Sequence, residues 1–277
     1  MHTFQELRIF TSSLPENGIE MPVLFIGHGS PMNGIEDNEF SKRWKEMGHR
    51  IPKPTAIIVV SAHWFTSGTK ITAMDFPKTI HDFGGFPDAL YQVQYLSPGN
   101  PVLARDVAEM VVSTEVELNH DWGLDHGTWT IIRHMYPDAN IPVLQLSIDY
   151  TKGGSFHYEL AKEIRSLRKK GVLIIGSGNM VHNLRMVDWS KLSEPGFGYD
   201  WAHQMNATFK GLILNGLHDK LIHYDQLGRE GMLAIPTPEH YLPLLYALGA
   251  STDKDSIEFF NDTALGGSLT MTSVKLG

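Results

Sequence analysis

The sequence predicts an α/β fold: one domain with a largely parallel or mixed central sheet and helices on both faces. Three observations point there. Four short apolar runs, PVLFIG, TAIIVVSA, PVLQLSI and GVLIIGSG, are continuous rather than alternating, as in strands buried on both faces. Segments with helical patterning separate them, which is the sign of a parallel sheet wound with helices. No repeat, low-complexity stretch or compositional break divides the 277 residues, a length within the range of one α/β domain.

Taken in order, residues 1–20 read as an N-terminal extension and 21–277 as the domain. The first strand is 22–27, ending in Gly27. A polar helical stretch follows at 38–48, then the β-branched strand 55–62 behind Pro52 and Pro54, then a short strand near 70–73. Residues 75–100 carry Pro77, Gly84, Gly85, Pro87, Pro98 and Gly99 and read as a long loop; loops of that length in compact domains are usually functional or mobile. A helix near 101–112 precedes ELNHDWGLDHG, from which another helix runs through TWTIIRHMYP. The third strand is 142–148. Phe156, Leu160, Ile164 and Leu167 recur at helical spacing. The fourth strand is 171–178 with a glycine-rich exit, helices dominate 198–248, and the alternating tail 268–276 reads as an edge strand.

Composition narrows the function. Hydrophobic residues make up 42% and charged residues 19%, enough for an ordinary core. With no cysteine, disulfides, thiolate metal sites and cysteine nucleophiles are excluded. A formal charge of −8 argues against a general affinity for nucleic acid. The one basic run, Arg165, Arg168, Lys169 and Lys170, reads as a solvated helix end, where cations favour the dipole. No apolar stretch reaches the roughly 18 residues of a membrane span, and the N-terminus lacks the apolar region of a signal peptide. These features predict a soluble, cytoplasmic protein with no membrane partner.

Of the 14 histidines, a subset stands out by position. His28 follows the strand 22–27, His63 follows 55–62, and His182 lies a few residues past 171–176. Ligands of open α/β sheets bind beyond the carboxyl ends of the strands, so these three converge without contorted loops. Imidazole suits iron, zinc, copper and nickel. His240, in IPTPEHYLPLLYALG, is a fourth candidate: with Thr237 as cap and Pro238 as first helical residue it would lie in a first turn, whose positive end keeps imidazole neutral. Pro243 is costly inside a helix and allows a later start. Glu239 competes as ligand, since two histidines and a carboxylate form the facial triad of non-haem iron(II) oxygenases. His126 precedes a helix, with Asp125 either orienting it or acting as the cap. In the long loop, His81 is a candidate for a pocket wall or lid, and Asp82, Phe83 and Phe86 line the same pocket.

GHGSPMN, SAHW, H-D-F-x-G-F-P, DHGTW, GSGNMVHN and PTPEHYLPL, in this order, resemble the LigB-like class III extradiol ring-cleaving dioxygenases, in their DOPA dioxygenase (DODA) branch. The resemblance runs from about residue 21 to the C-terminus. It implies a metal bound by His28 and His63, with His182 as a further ligand or as the base. It implies a third protein ligand at the PEH position, a carboxylate in ring-cleaving relatives and a histidine, here His240, in the DODA branch. His126 resembles a pocket histidine that contacts substrate or dioxygen, which with His182 makes the catalytic pair; Ser30, His81 and Phe83 are the candidate substrate-binding residues. The expected cofactor is one divalent metal per chain, Fe(II) for activity, with Zn(II) able to take the same ligands, and the expected partners are a small catechol such as DOPA and dioxygen. The alternatives are a zinc-dependent hydrolase and a non-catalytic metal-binding member of the same fold.

Overall fold

The computed structural model describes residues 18–277 except Ser193 and Pro195. Most of the expected extension, residues 1–17, lies outside the described residues. The principal strands are β1 (Val23–Gly27), β2 (Ala56–Ser61), β3 (Val143–Gln145), β4 (Val172–Gly178), β5 (Ile257–Phe260) and β6 (Ser273–Leu276). The principal helices are α1 (Glu39–Arg50), α2 (Pro101–Met110), α3 (His126–Met135), α4 (Gly154–Ile164), α5 (Asp200–Leu214) and α6 (Leu242–Ala250).

These strands form one mixed sheet in the order β5-β6-β1-β4-β2-β3. β1, β4, β2 and β3 run parallel, and β6 and β5 complete the sheet antiparallel. Side-chain alternation divides the core in two. Leu24, Ile26, Ile57, Val59, Leu173 and Ile175 face α1 and α3, where Trp44, Met47, Trp129 and Ile132 meet them. Val23, Phe25, Ile58, Val60 and Ile174 face the other way, onto Leu160 and Ile164 of α4 and Leu244 and Leu248 of α6. Each fully buried aliphatic side chain contributes about 1.5–3 kcal/mol by leaving water, so both layers are strongly held. That double covering is why the strands read as continuous apolar runs.

Local signals set the helix boundaries. Asn38 caps α1 in a reciprocal arrangement with Ser41. α6 is buried on every side and begins at Leu242, later than a Thr237 cap implies, so Pro243 falls in the first turn, where its missing N–H costs nothing. His240 therefore sits in the turn ahead of the helix.

Three expectations need correction. The tail is not an edge strand: β6 lies between β1 and β5, with Val274 and Leu276 in the core, and the edge is β5, which carried no clear signal. The strand 142–148 divides, because after Gln145 the chain leaves the main sheet and Ile148–Asp149 pairs instead with Phe65–Thr66. Arg168 is not solvated. It is 1% exposed and binds Asp255 through both carboxylate oxygens, at 2.7 and 2.9 Å.

Candidate active site

The parallel strands end at one rim. Gly27 lies opposite Gly178 and Ser61 opposite Ser177, so the segments leaving β1, β2 and β4 step off the sheet side by side. His28 is the first residue past β1, His63 the second past β2 and His182 the fourth past β4. His240 reaches the same rim from the turn before α6. Gly178 permits this approach, because a Cβ there would overlap the His240 carbonyl, which accepts the Asn179 N–H at 2.9 Å.

His126 is the first residue of α3, and Asp125 is the cap, accepting the Thr128 N–H at 3.2 Å. The Asp125 carboxylate also takes the Ser61 hydroxyl and the Gln145 amide, each at 2.7 Å. Burial, then the nearby Asp82 charge, pushes its carboxyl up to about 6. Asp125 is thus committed to the cap, and it is Asp82 that holds His126. One Asp82 oxygen accepts the His126 backbone N–H and the other its Nδ1–H, both at 2.9 Å. The second oxygen also lies 3.3 Å from His63 Nδ1. Burial pushes the Asp82 carboxyl upward, but the hydrogen bonds and charges of His126 and His63 outweigh it and hold it below the ordinary carboxylate value.

Hydrogen-bond partners set the tautomers. Ser177 donates its hydroxyl to the Gly127 carbonyl, so it can only accept from His28 Nδ1, 3.0 Å away. His28 Nε2 is then bare. The carboxylate 3.3 Å from His63 Nδ1 favours the proton on that nitrogen, which leaves His63 Nε2 bare as well. These two Nε2 atoms are 3.0 Å apart. Two lone pairs at that separation repel, and a divalent cation held by both nitrogens would relieve the repulsion. His240 Nδ1 faces Glu239 Oε1 at 3.3 Å, and that oxygen also accepts the Thr237 hydroxyl at 2.8 Å. One nitrogen each of His28, His63 and His240 lies within 4.8 Å of the others. Two further groups meet the same criterion, His63 with Asp82 and His126, and His182 with Glu239 and His240. The donor set fits a divalent metal of the imidazole-loving kind.

Electrostatics agree. Burial, followed by the neighbouring imidazoles, holds His28 and His240 well below the ordinary histidine value. Burial brings His63 down to about 3, with His126 next in effect, and brings His182 down to about 4. All four are neutral at pH 7, the form that ligates. The His182 ring stacks on His240 with centroids 3.5 Å apart and 8° between planes.

Residues 22–269 match the family described as the catalytic LigB subunit of aromatic ring-opening dioxygenase. The chain belongs to the LigB family. It is 48% identical over 262 residues to the 4,5-DOPA dioxygenase extradiol of Escherichia coli K12, covering 93% of this chain and 95% of that one. It is 35% identical to the protein of that name from Beta vulgaris, over 91% and 94% of the two chains. A crystal structure of an uncharacterized E. coli K12 protein superposes with a TM-score of 0.78 at 40% identity, over 93% of this chain and all of that one. This LigB protein is an extradiol ring-cleaving dioxygenase. Enzymes of the family depend on a metal, and the histidine groups above are where this one could hold it.

The sequence-predicted residues separate at this point. His28, His63, His126, His182 and His240 share the rim. Phe83 joins them, its ring edge-on to His126 at 5.6 Å between centroids. His81 stands outside the histidine group; its Nε2 bonds the Val93 carbonyl at 3.0 Å, and its ring packs near Phe83, Tyr91 and Trp129. Ser30 is exposed and accepts the Met32 N–H at 3.2 Å, capping the turn Pro31–Gly34. Two contributors were missed as partners of the histidines: Ser177, and Asp82, expected only as pocket lining. The H-D pair at 81–82 marked the loop but not which histidine it would reach.

Proposed function

We propose that this enzyme binds one iron(II) through His28, His63 and His240 and opens the ring of a small catechol, DOPA among them, with dioxygen. The observation that carries the reading is the pair of bare Nε2 atoms on His28 and His63, 3.0 Å apart. The names of the relatives from E. coli and Beta vulgaris support DOPA as a substrate. Glu239 is better placed as the partner of His240 Nδ1 than as a ligand, since it falls outside the His28, His63 and His240 group.

Iron, when bound, supplies the redox chemistry that lets dioxygen react with a catechol. The rest is the work of side chains. His182 is unprotonated at neutral pH because of its burial, which is the form that accepts the phenolic proton. Its stacking on His240 keeps that acceptor against the ligand group. His126, with Nδ1 bonded to Asp82, can present only Nε2 to a substrate, as a hydrogen-bond acceptor, or as a donor once it has taken up a proton. Phe83 closes an apolar wall against it and limits water. In the net reaction one ring carbon–carbon bond beside the diol breaks, both oxygen atoms enter the product, and a semialdehyde carboxylate results.

The test is oxygen uptake with L-DOPA and simpler catechols after anaerobic iron(II) loading, with zinc-loaded protein as control. The expected result is iron-dependent uptake with a yellow ring-opened product, lost in His28→Ala and His182→Ala. Absence of uptake with every catechol, despite bound iron, would overturn the proposal; hydrolytic activity with zinc and without oxygen would replace it.

A further inference from the structure

We propose that Asp82 is a positioning residue that locks His63 and His126 with both Nε2 atoms turned to one centre, joining a metal ligand to the pocket histidine through one carboxylate. This rests on the reading of His63 as ligand and His126 as the substrate-side histidine given above.

The geometry leaves Asp82 little freedom. One oxygen is fixed at the start of α3 by the His126 backbone N–H at 2.9 Å. The other then falls between two rings whose centroids are 3.8 Å apart, 2.9 Å from His126 Nδ1 and 3.3 Å from His63 Nδ1. A carboxylate only accepts, so His126 Nδ1 is a donor to it, and the same charge 3.3 Å from His63 Nδ1 favours the proton there too, which leaves both Nε2 atoms bare. At His63 this is the arrangement in which a carboxylate behind an imidazole fixes the ring and strengthens it as a ligand. At His126 it dictates which nitrogen meets the substrate. Among the described residues no other carboxylate pairs with either Nδ1. Asp125, adjacent in sequence, is taken up by Ser61, Gln145 and the α3 cap.

Asp82 is one of several ties that close the loop. The others are His81 to the Val93 carbonyl, Tyr95 N–H to the Thr79 hydroxyl at 2.9 Å, and Trp129 Nε1–H to the Ile80 carbonyl at 2.9 Å. Asp82→Asn is therefore an informative change. Its amide oxygen can still accept the His126 backbone N–H, which turns the amide N–H group toward the two Nδ1 atoms. Both imidazoles must then move their proton to Nε2 or rotate. The opposite amide orientation would set two N–H donors against each other.

Three readouts follow. Competition with a chromophoric chelator should show D82N binding iron(II) and zinc about tenfold to a hundredfold more weakly than the wild type. At saturating iron, kcat should fall by a similar factor while KM for the catechol stays within about threefold. Adding D82N to H126Q should lower kcat no more than about twofold further, because Asp82 acts on turnover through His126. The melting temperature of metal-free D82N should match the wild type. Independently of any variant, histidine-selective 15N NMR of the metal-free wild-type chain should find His63 and His126 as Nδ1–H tautomers. Nε2–H tautomers there, or a D82N that keeps metal affinity and kcat while melting earlier, would overturn the proposal. A wild-type enzyme that binds iron but consumes no oxygen would sink the functional reading instead, and the metal-affinity and NMR results would still judge Asp82.

Discussion

Two buried polar clusters sit at opposite ends of the same sheet and are finished differently. At the amino ends of β1 and β4, Arg168 gives its Nε–H to the Met21 carbonyl at 2.7 Å, one N–H to the Ala250 carbonyl at 3.2 Å, and two more to Asp255. Four of the five guanidinium N–H donors meet acceptors within this cluster. At the carboxyl ends, Nδ1 of His28, His63, His126 and His240 each faces Ser177, Asp82 or Glu239, while the Nε2 atoms of His28 and His63 face each other at 3.0 Å. Burial alone does not separate structure from function. The direction in which the unmatched atoms point does.

The comparison can be broken from either end. The largest effect is expected at the rim: His28→Ala should weaken metal binding by roughly a hundredfold or more and remove oxygen uptake, beyond the loss expected for a residue that only orients a ligand. Metal content after dialysis checks it. The melting temperature of the metal-free protein should shift by only a few degrees, since one contact among many is lost.

At the other end, Arg168→Met should cost about 1–3 kcal/mol in urea unfolding, because the Met21 and Ala250 carbonyls lose their buried donor and the partly buried Asp255 loses its counter-charge. Metal affinity should be unchanged. An Arg168→Met protein as stable as the wild type would show that this cluster is dispensable.

The two ends should also part under acid. Burial raises the Asp255 carboxyl, but its bonds to Arg168 and Thr252 outweigh that and hold it below the ordinary value of 3.8. A depressed carboxylate contributes stability above the unfolded value, and that contribution is lost as pH falls through the folded one. The wild-type melting temperature should therefore fall faster below about pH 4 than that of Arg168→Met. The smallest effect belongs to Ser30→Ala, which removes a turn cap at the rim and should cost about 0.5–1 kcal/mol. If it changes KM for the catechol as well, Ser30 meets the substrate.

What the sequence discloses depends on how local the cause is. The strand exits at His28, His63 and His182 were legible because apolar runs and the residues after them are contiguous, and parallel strands put their ends on one rim. Asp125 as a cap was legible for the same reason. Asp82 was not legible as a partner of His126, since the two meet only after the loop folds back across 44 residues. Arg168 was misread as solvated because a charge in a basic run carries no sign of a distant carboxylate. The tail's alternation marked a strand but not its neighbours, which the helix-rich segment and β5 decide.

One feature of the sheet bears on how this protein behaves at high concentration. β3, at one edge, is covered: its Val143 N–H is taken by the Pro98 carbonyl and its Gln145 N–H by the Thr72 hydroxyl. β5, at the other, offers a strand edge to any chain that could pair with it. Glu258 stands in the middle of that edge strand, opposite Lys275, and is gripped at 2.7 and 2.8 Å by the forked Arg50 side chain from the end of α1. Charges held there disfavour edge-to-edge stacking of copies, so neutralising Arg50 and Glu258 together should lower solubility more than it lowers stability.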